Sequence, residues 1–285
     1  MNSQQESLRI LRRAGEMDDG VLSLGEAALA LASLEKQGAD LTPYRQHLAV
    51  LVEQVRAGGA ATTLDVQLQR LRHVLVVQNK YQGDDNHNED ARATNLMDTI
   101  DRRRGSPVML GVIYLHVATA MGWAMTGLDL SGHFLLRLSA RDGQVVIDPF
   151  RAGQTCQLEE AGDYFIDDED SLLEEERHRP TLLDLSSELL TPLSSRDLLL
   201  RLQHNVKRRL LSQDRVEAAI ATLQGMILFA PRHQDLWKEL GYLQAERGHL
   251  RAAITALEVV KDLAGGPIPA QQTDVMLREI RWRLN

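Results

Sequence analysis

At 285 residues the chain is long enough for one large domain or two modest ones, and its 44% apolar and 25% charged residues mark an ordinary globular protein. A formal net charge of -8 argues against nonspecific nucleic-acid binding, which needs a phosphate-neutralising surface. The single cysteine, Cys156, excludes an internal disulfide and a Cys-rich zinc site, and 4% aromatic residues leave Leu, Val, Ala and Ile to build the core.

Residues 1–20 are polar, and a frayed or weakly helical start is expected. Met1–Glu6 shows no basic patch followed by an apolar run, so no signal peptide is expected and the expected location is cytoplasmic. Leu22–Leu34 reads as an amphipathic helix rich in Ala and Leu. Thr42-Pro43 opens a second helix with Thr42 as its cap, its apolar positions Leu48, Leu51, Val52 and Val55 following helical spacing until Gly58-Gly59 ends it. Thr63 begins a third that runs to about Val77, giving an all-α front end.

Gly83–Asp90 is an acidic stretch, but it lacks the sixth-position Gly and twelfth-position Glu of a calcium loop. A solvated loop leading into a helix over Thr94–Arg103 is expected. The basic runs Arg102–Arg104 and Lys207–Arg209 are read as solvated helix ends or structural ion pairs.

From Ser106 the pattern is that of a buried helix. Ser106 is a good N-cap, and Pro107 falls at the first helical position, where a missing N–H costs nothing. Val108–Met121 is apolar on nearly every face, so the helix is central to a core or spans a membrane. No acid, Lys or Arg occurs between Arg104 and Asp129, long enough for a bilayer. Pro107, Gly111, His116, Thr119, Gly122 and Thr126 interrupt the stretch, and Gly127–Leu138 alternates like strands, which favours a core helix. His116 is expected to be a packing histidine.

Gly132–Leu138 and Val145–Phe150 are β-rich and flank a turn over Ser139–Gly143, so a hairpin is expected. A four-residue loop, with Leu138 opposite Gly143, would set His133 directly opposite Asp148, within side-chain reach. Asp163–Glu176 is dense in acid and reads as linker or surface helix, and Leu198–Leu211 as a helix. Beyond it Ala219, Leu223 and Met226 recur 34 residues later as Ala253, Leu257 and Val260, and Trp237-x-x-Leu240-Gly241 and Pro231 complete the spacing of a tetratricopeptide repeat. Two such repeats are expected to pack against the front domain or a last helix over Thr273–Leu284.

A helix N-terminus, a His at a strand start and an Asp opposite it form a chemical constellation. A thiol there would have its pKa lowered by the helix dipole, with the His as base and the Asp orienting it. Gly105-x-Pro107 with its apolar helix, Gly132-His133-Phe134-Leu135-Leu136-Arg137 and Ile147-Asp148-Pro149-Phe150 together resemble the transglutaminase-like core. With Asn95-Leu96-x4-Asp101-Arg102-Arg103-Arg104-Gly105 upstream and Asn205-Val206-Lys207-Arg208 before the repeats, the chain resembles the bacterial SirB family of transglutaminase-like proteins with tetratricopeptide repeats, over about residues 20–262.

That resemblance implies Gly-x-Cys at the helix start, and here the nucleophile position is Pro107. His133 and Asp148 remain as a triad remnant. Ser106 is adjacent, as an outside candidate, and Cys156 matches no position of the motif. No Walker-type loop, dinucleotide fingerprint or metal-ligand cluster is present, so no cofactor and no metal are expected.

The expected fold class is α+β: a helical N-terminal part and a transglutaminase-like, papain-like core with a small antiparallel sheet over 1–190, then tetratricopeptide-like helices over 191–285. The expected function is a non-catalytic scaffold or regulatory protein that binds another protein, without nucleic-acid or membrane partners. The alternatives are a hydrolase or acyltransferase using Ser106 or Cys156, and peptide or small-ligand binding in the vestigial cleft.

Overall fold

The computed structural model describes residues 2–86, 90–130, 133–156, 191–263 and 270–284. The chain divides into two compact units, one of Met1–Ser7 with Leu22–Leu198 and one of Leu8–Val21 with Leu199–Asn285. The first segment, expected to be frayed or weakly helical, forms a fourteen-residue helix, α1 (Ser3–Glu16). Ser7, Leu11 and Ala14 are buried along it at helical spacing, a narrow stripe that the surrounding polar residues hide in the sequence.

In the first unit, α2 (Leu24–Glu35) is buried over Leu24–Gly25 and Ala27–Ser33, so it is an interior helix and not the amphipathic one expected. Its alanines permit a close approach, and a Cβ on Gly25 would lie 2.5 Å from His116 Nδ1. His116 is thus the packing residue its sequence position suggests. α3 (Thr42–Ala57) begins one residue earlier than Thr42 capping requires. Asp40 does the capping work instead: its Oδ1 accepts from the Thr42 N–H at 2.9 Å and from the Thr42 hydroxyl at 2.8 Å. α4 (Leu64–Arg72) continues into π-type turns over His73–Gln78.

Two short strands, β1 (Gln82–Gly83) and β2 (Arg104–Gly105), pair in parallel, with α5 (Leu96–Arg102) between them in sequence. Next comes α6 (Pro107–Ala120), buried from Val108 to Leu115 and again at Val117 and Ala118. Among the described residues no helix is long and apolar enough to cross a membrane.

An antiparallel sheet follows: β3 (Ala124–Leu130), β4 (His133–Ala140), β5 (Gly143–Asp148), β6 (Gln154–Thr155) and β7 (Thr191–Leu193), in spatial order β6-β5-β4-β3-β7. The β4–β5 hairpin turns over two residues, Arg141 and Asp142, with Ala140 opposite Gly143 and Leu138 opposite Val145. This corrects the four-residue loop. The tight turn is fixed from outside the hairpin, because both Asp142 carboxylate oxygens lie 3.0 Å from the Leu64 N–H and cap α4. The acidic linker expected over Asp163–Glu176 lies outside the described residues.

Phe134 joins α6 to the sheet. A Cβ on Gly111 would lie 2.1 Å from its ring, and one on Gly127 3.0 Å from it. Two glycines on different elements therefore clear the space that one aromatic ring fills.

In the second unit, α7 (Ser195–Ser212) contributes from Leu199 onward, followed by α8 (Val216–Phe229), α9 (Gln234–Glu246), α10 (Leu250–Asp262) and α11 (Ala270–Leu284). Ala219 and Ala253 are fully buried. A Cβ on Gly241 of α9 would lie 2.7 Å from Leu257 Cγ of α10, so this pair packs at close range. Ala245, Ala253, Leu257, Leu277 and Ile280 form one apolar cluster across α9, α10 and α11.

Replacing Gly111 by Ala should overpack the α6–sheet joint and cost about 1–3 kcal/mol in urea unfolding. Gly20→Ala, where an added Cβ meets nothing within 4 Å, should leave the midpoint nearly unchanged. Equal midpoints for the two variants would contradict the packing account.

Candidate functional site

The candidate site lies at the start of α6 and along the strands that carry His133 and Asp148. Ser106 has extended backbone angles, and its hydroxyl accepts from the Met109 N–H at 3.3 Å. Its own N–H donates to Ala93 O at 2.9 Å, and its carbonyl accepts from Leu110 at 3.0 Å. Ser106 is buried, and all three of its polar groups are engaged in holding the helix start. Pro107 follows at the first helical position and presents no attacking atom.

Asp148 ends β5 and is buried. Its Oδ1 accepts from the Phe150 N–H at 2.8 Å and the Arg151 N–H at 3.3 Å, and its carbonyl accepts from Gly153 at 2.8 Å. Arg151 Nε lies 3.9 Å from Oδ2. The carboxylate thus organises the turn that leads into β6.

His133 opens β4 with its Cα opposite that of Leu130, and its side chain lies outside the described residues. The observed β4–β5 register, continued outward, sets Asp148 opposite Leu135. The direct His133–Asp148 pairing is therefore corrected, since a two-residue turn displaces every pair by two positions from the one expected. Cys156 is half-buried just past the edge strand β6, its N–H donating to Val146 O at 2.9 Å. The structure places Ser106 and Pro107 together at the helix start, and Asp148 and Cys156 along the β5–β6 edge.

Phe150 belongs to the same turn. A Cβ on Gly83 would lie 2.6 Å from the Phe150 ring, and Gly83 pairs with Gly105, two residues before Pro107. An aromatic ring of the Asp148-Pro149-Phe150 motif is thus packed against β1, the partner of the strand β2 that leads into the helix start.

The Asn95–Gly105 motif positions that start. Asn95 caps α5, accepting from Met97 and Asp98, and its amide donates to Ala32 O at 3.2 Å and Glu35 Oε2 at 2.9 Å. Arg102 holds two acids, Asp84 at 2.5 Å and Asp90 at 3.1 Å. Arg92 holds Asp90 down to about 2, chiefly through the hydrogen bonds from its side chain. Asp84 is buried, so these ends of the acidic stretch are clasped and not solvated as expected, while residues 87–89 lie outside the described residues. The partners, Arg92 and Arg102, fold back from the next elements. Among the described residues no group of three or more His, Cys, Asp and Glu side chains is placed to hold a metal ion.

Arg103 is in the left-handed region, with φ 58°, where α5 gives way to β2. Its Nη1 donates to Tyr81 Oη and His47 Nε2, both at 2.9 Å, and its guanidinium lies 5.1 Å from the Tyr81 ring centroid. His47 Nε2 can accept only if the imidazole is neutral. Burial, then the Arg103 charge, push its pKa down to about 4, against a small opposing pull from Asp101. Burial likewise pushes Tyr81 up to about 12. Sequence reasoning missed His47, Tyr81 and Asp84, because their partners lie 18 to 56 positions away along the chain and no local spacing announces them.

The transglutaminase-like superfamily matches residues 42–204, more than half of the chain. Two proteins designated UPF0162, from Xylella fastidiosa strains Temecula1 and 9a5c, are each 26% identical, over 262 and 257 residues. The alignments cover 90% and 88% of this chain, and 89% and 87% of those proteins. Among solved structures, menin, whose crystal structure reveals its binding site for the Mixed Lineage Leukemia (MLL) protein, aligns with a TM-score of 0.49 at 11% identity. This likeness covers 99% of the present chain and 62% of menin's, and it carries no functional argument.

Because the folded His47 has its pKa below the unfolded value, the unfolded chain binds more protons between about pH 6.5 and 4. Stability from this contact should be full above pH 6.5 and fall as the pH drops toward 4. Urea midpoints at pH 7.5, 6 and 4.5 should show that fall, and His47→Gln should flatten it. An identical slope in the variant would remove the Arg103–His47 contact as its cause.

Proposed function

The chain belongs to the transglutaminase-like superfamily, and we propose that it is a non-catalytic member, a scaffold or regulatory protein that binds another protein. The observation that carries this reading is the start of α6, where Pro107 is the first helical residue, at the position to which the family resemblance assigns the nucleophile, and the Ser106 hydroxyl is engaged as the helix cap. Acyl transfer by this kind of site needs an attacking group assisted by an imidazole and aligned on the carbonyl. Here the position offers a pyrrolidine ring, and the adjacent hydroxyl would have to give up its cap at about 0.5–2 kcal/mol.

The rest of the proposal concerns the C-terminal helices. The recurrence of Ala219 at Ala253, both fully buried, supports reading them as tetratricopeptide-like repeats in a SirB-type protein. So do the Gly241–Leu257 approach and the Trp237 indole donating to Pro231 O at 2.8 Å. Helical repeats offer extended surfaces to partners. In this reading the transglutaminase-like part spans 1–190, the repeats 191–285, and the protein acts in the cytoplasm.

Labelling with a fluorophosphonate and with an iodoacetamide probe tests the proposal on wild type, Ser106→Ala, Cys156→Ala and His133→Ala. No labelling that depends on His133 is expected. Labelling lost in both His133→Ala and either Ser106→Ala or Cys156→Ala would identify a nucleophile and overturn the non-catalytic reading.

A further inference from the structure

The last helix of the second unit has one apolar stripe too many. α11 buries Thr273, Leu277 and Ile280 on one side, where Leu277 and Ile280 join the cluster with α9 and α10. On the opposite side Trp282 is 81% exposed and Val275 56% exposed. These two lie seven residues apart, two helical turns, so they fall within about 20° of each other around the axis. A Trp and a Val in line along the outer face of a packed helix form a stripe, not a scatter of single residues, and Trp is enriched where proteins meet.

Helical spacing sets Arg278 on one side of this stripe and Glu279 on the other, and both are exposed. Among the described residues the ion pairs from α11 to α10 are Asp274 with Lys261 at 2.7 Å and Arg281 with Glu258 at 2.8 Å. The charges that tie α11 to its neighbour are thus Asp274 and Arg281. Arg278 bends back only as far as the Asp274 carbonyl, to which its Nε donates at 3.3 Å. The outer face therefore presents an apolar centre with a cation along one edge and an anion along the other.

We propose that the outer face of α11 is a self-association surface, on which a second copy of this chain packs its own α11 in parallel. This goes beyond the reading above and does not rest on it. Two parallel helices face to face are related by a twofold axis along their length, which turns the Arg278 edge of one toward the Glu279 edge of the other. Val275 and Trp282 then meet their own counterparts in the middle, with an Arg278–Glu279 pair on each side. An antiparallel copy would instead set Arg278 against Arg278 and Glu279 against Glu279, so the charges select one orientation. A lipid surface is the less favoured occupant, because helices that lie on membranes carry a broader apolar face and a basic polar face, and Glu279 stands at this edge.

Sedimentation velocity of the full chain between about 5 and 500 µM should show a concentration-dependent passage from monomer to dimer, the range in which a small interface associates. Trp282→Ala should weaken the dimer about tenfold or more. Its urea midpoint at low protein concentration should match that of wild type, because the ring is exposed in the single chain. Arg278→Glu should also weaken the dimer, and adding Glu279→Arg to it should restore association to within about threefold of wild type, since the exchange rebuilds both pairs only in the parallel arrangement. Val50→Ala, at an exposed position of α3, should leave association unchanged. A chain that stays monomeric at the highest concentration, a Trp282→Ala dimer as tight as wild type, or a double variant no better than Arg278→Glu would overturn the proposal. So would binding to phosphatidylcholine–phosphatidylserine vesicles, lost in Trp282→Ala, in place of self-association, which would assign the face to a lipid surface. None of these results bears on probe labelling at Ser106, Cys156 and His133, so the two proposals fail separately.

Discussion

The first unit depends on one joint, the turn from β2 into α6. A buried helix must enter the core without leaving its first N–H groups unpaired. Ser106 answers one of them at Met109, and Pro107 removes another altogether. The segment just before the joint is held by a set of charged and aromatic side chains. Arg102 reaches back to Asp84 and Asp90, Arg103 is locked on His47 and Tyr81, and Asn95 ties α5 to α2. Once the start is fixed, Gly111 and Gly127 bring helix and sheet together around Phe134.

The Gly105-x-Pro107 resemblance assigns the nucleophile of a transglutaminase-like enzyme to this same joint, and on the proposed reading structure and chemistry compete for it. A reactive side chain has to be left partly unsatisfied so that it can meet substrate, whereas a cap is satisfied by the protein itself. In this chain the groups at the joint are committed to the protein. Asp148, which would orient a catalytic base, spends one carboxylate oxygen on the backbone of its own turn, and Phe150 from that turn packs on Gly83.

The central helix was legible because its signals are local: a cap, a proline and an unbroken apolar run from Val108. The strands were legible for the same reason, and their pairing was not. Asp142 sits at the hairpin tip to cap α4, a contact across 78 positions, and the resulting two-residue turn moves Asp148 away from the place opposite His133. Residues 83–90 read as solvated because their composition is acidic, yet Asp84 is buried against an arginine 18 residues on. α1 read as no more than a frayed or weakly helical start because a stripe of Ser7, Leu11 and Ala14 is too small to stand out among charges. What the sequence hides, in each case, is a partner that only folding brings close.

The most direct measurement is the unfolding free energy of Ser106→Ala against wild type. A hydroxyl employed as the cap of α6 predicts a loss of about 0.5–2 kcal/mol. Unchanged or increased stability would contradict the account, because a side chain held for chemistry is commonly kept at the expense of stability and its removal relieves that strain.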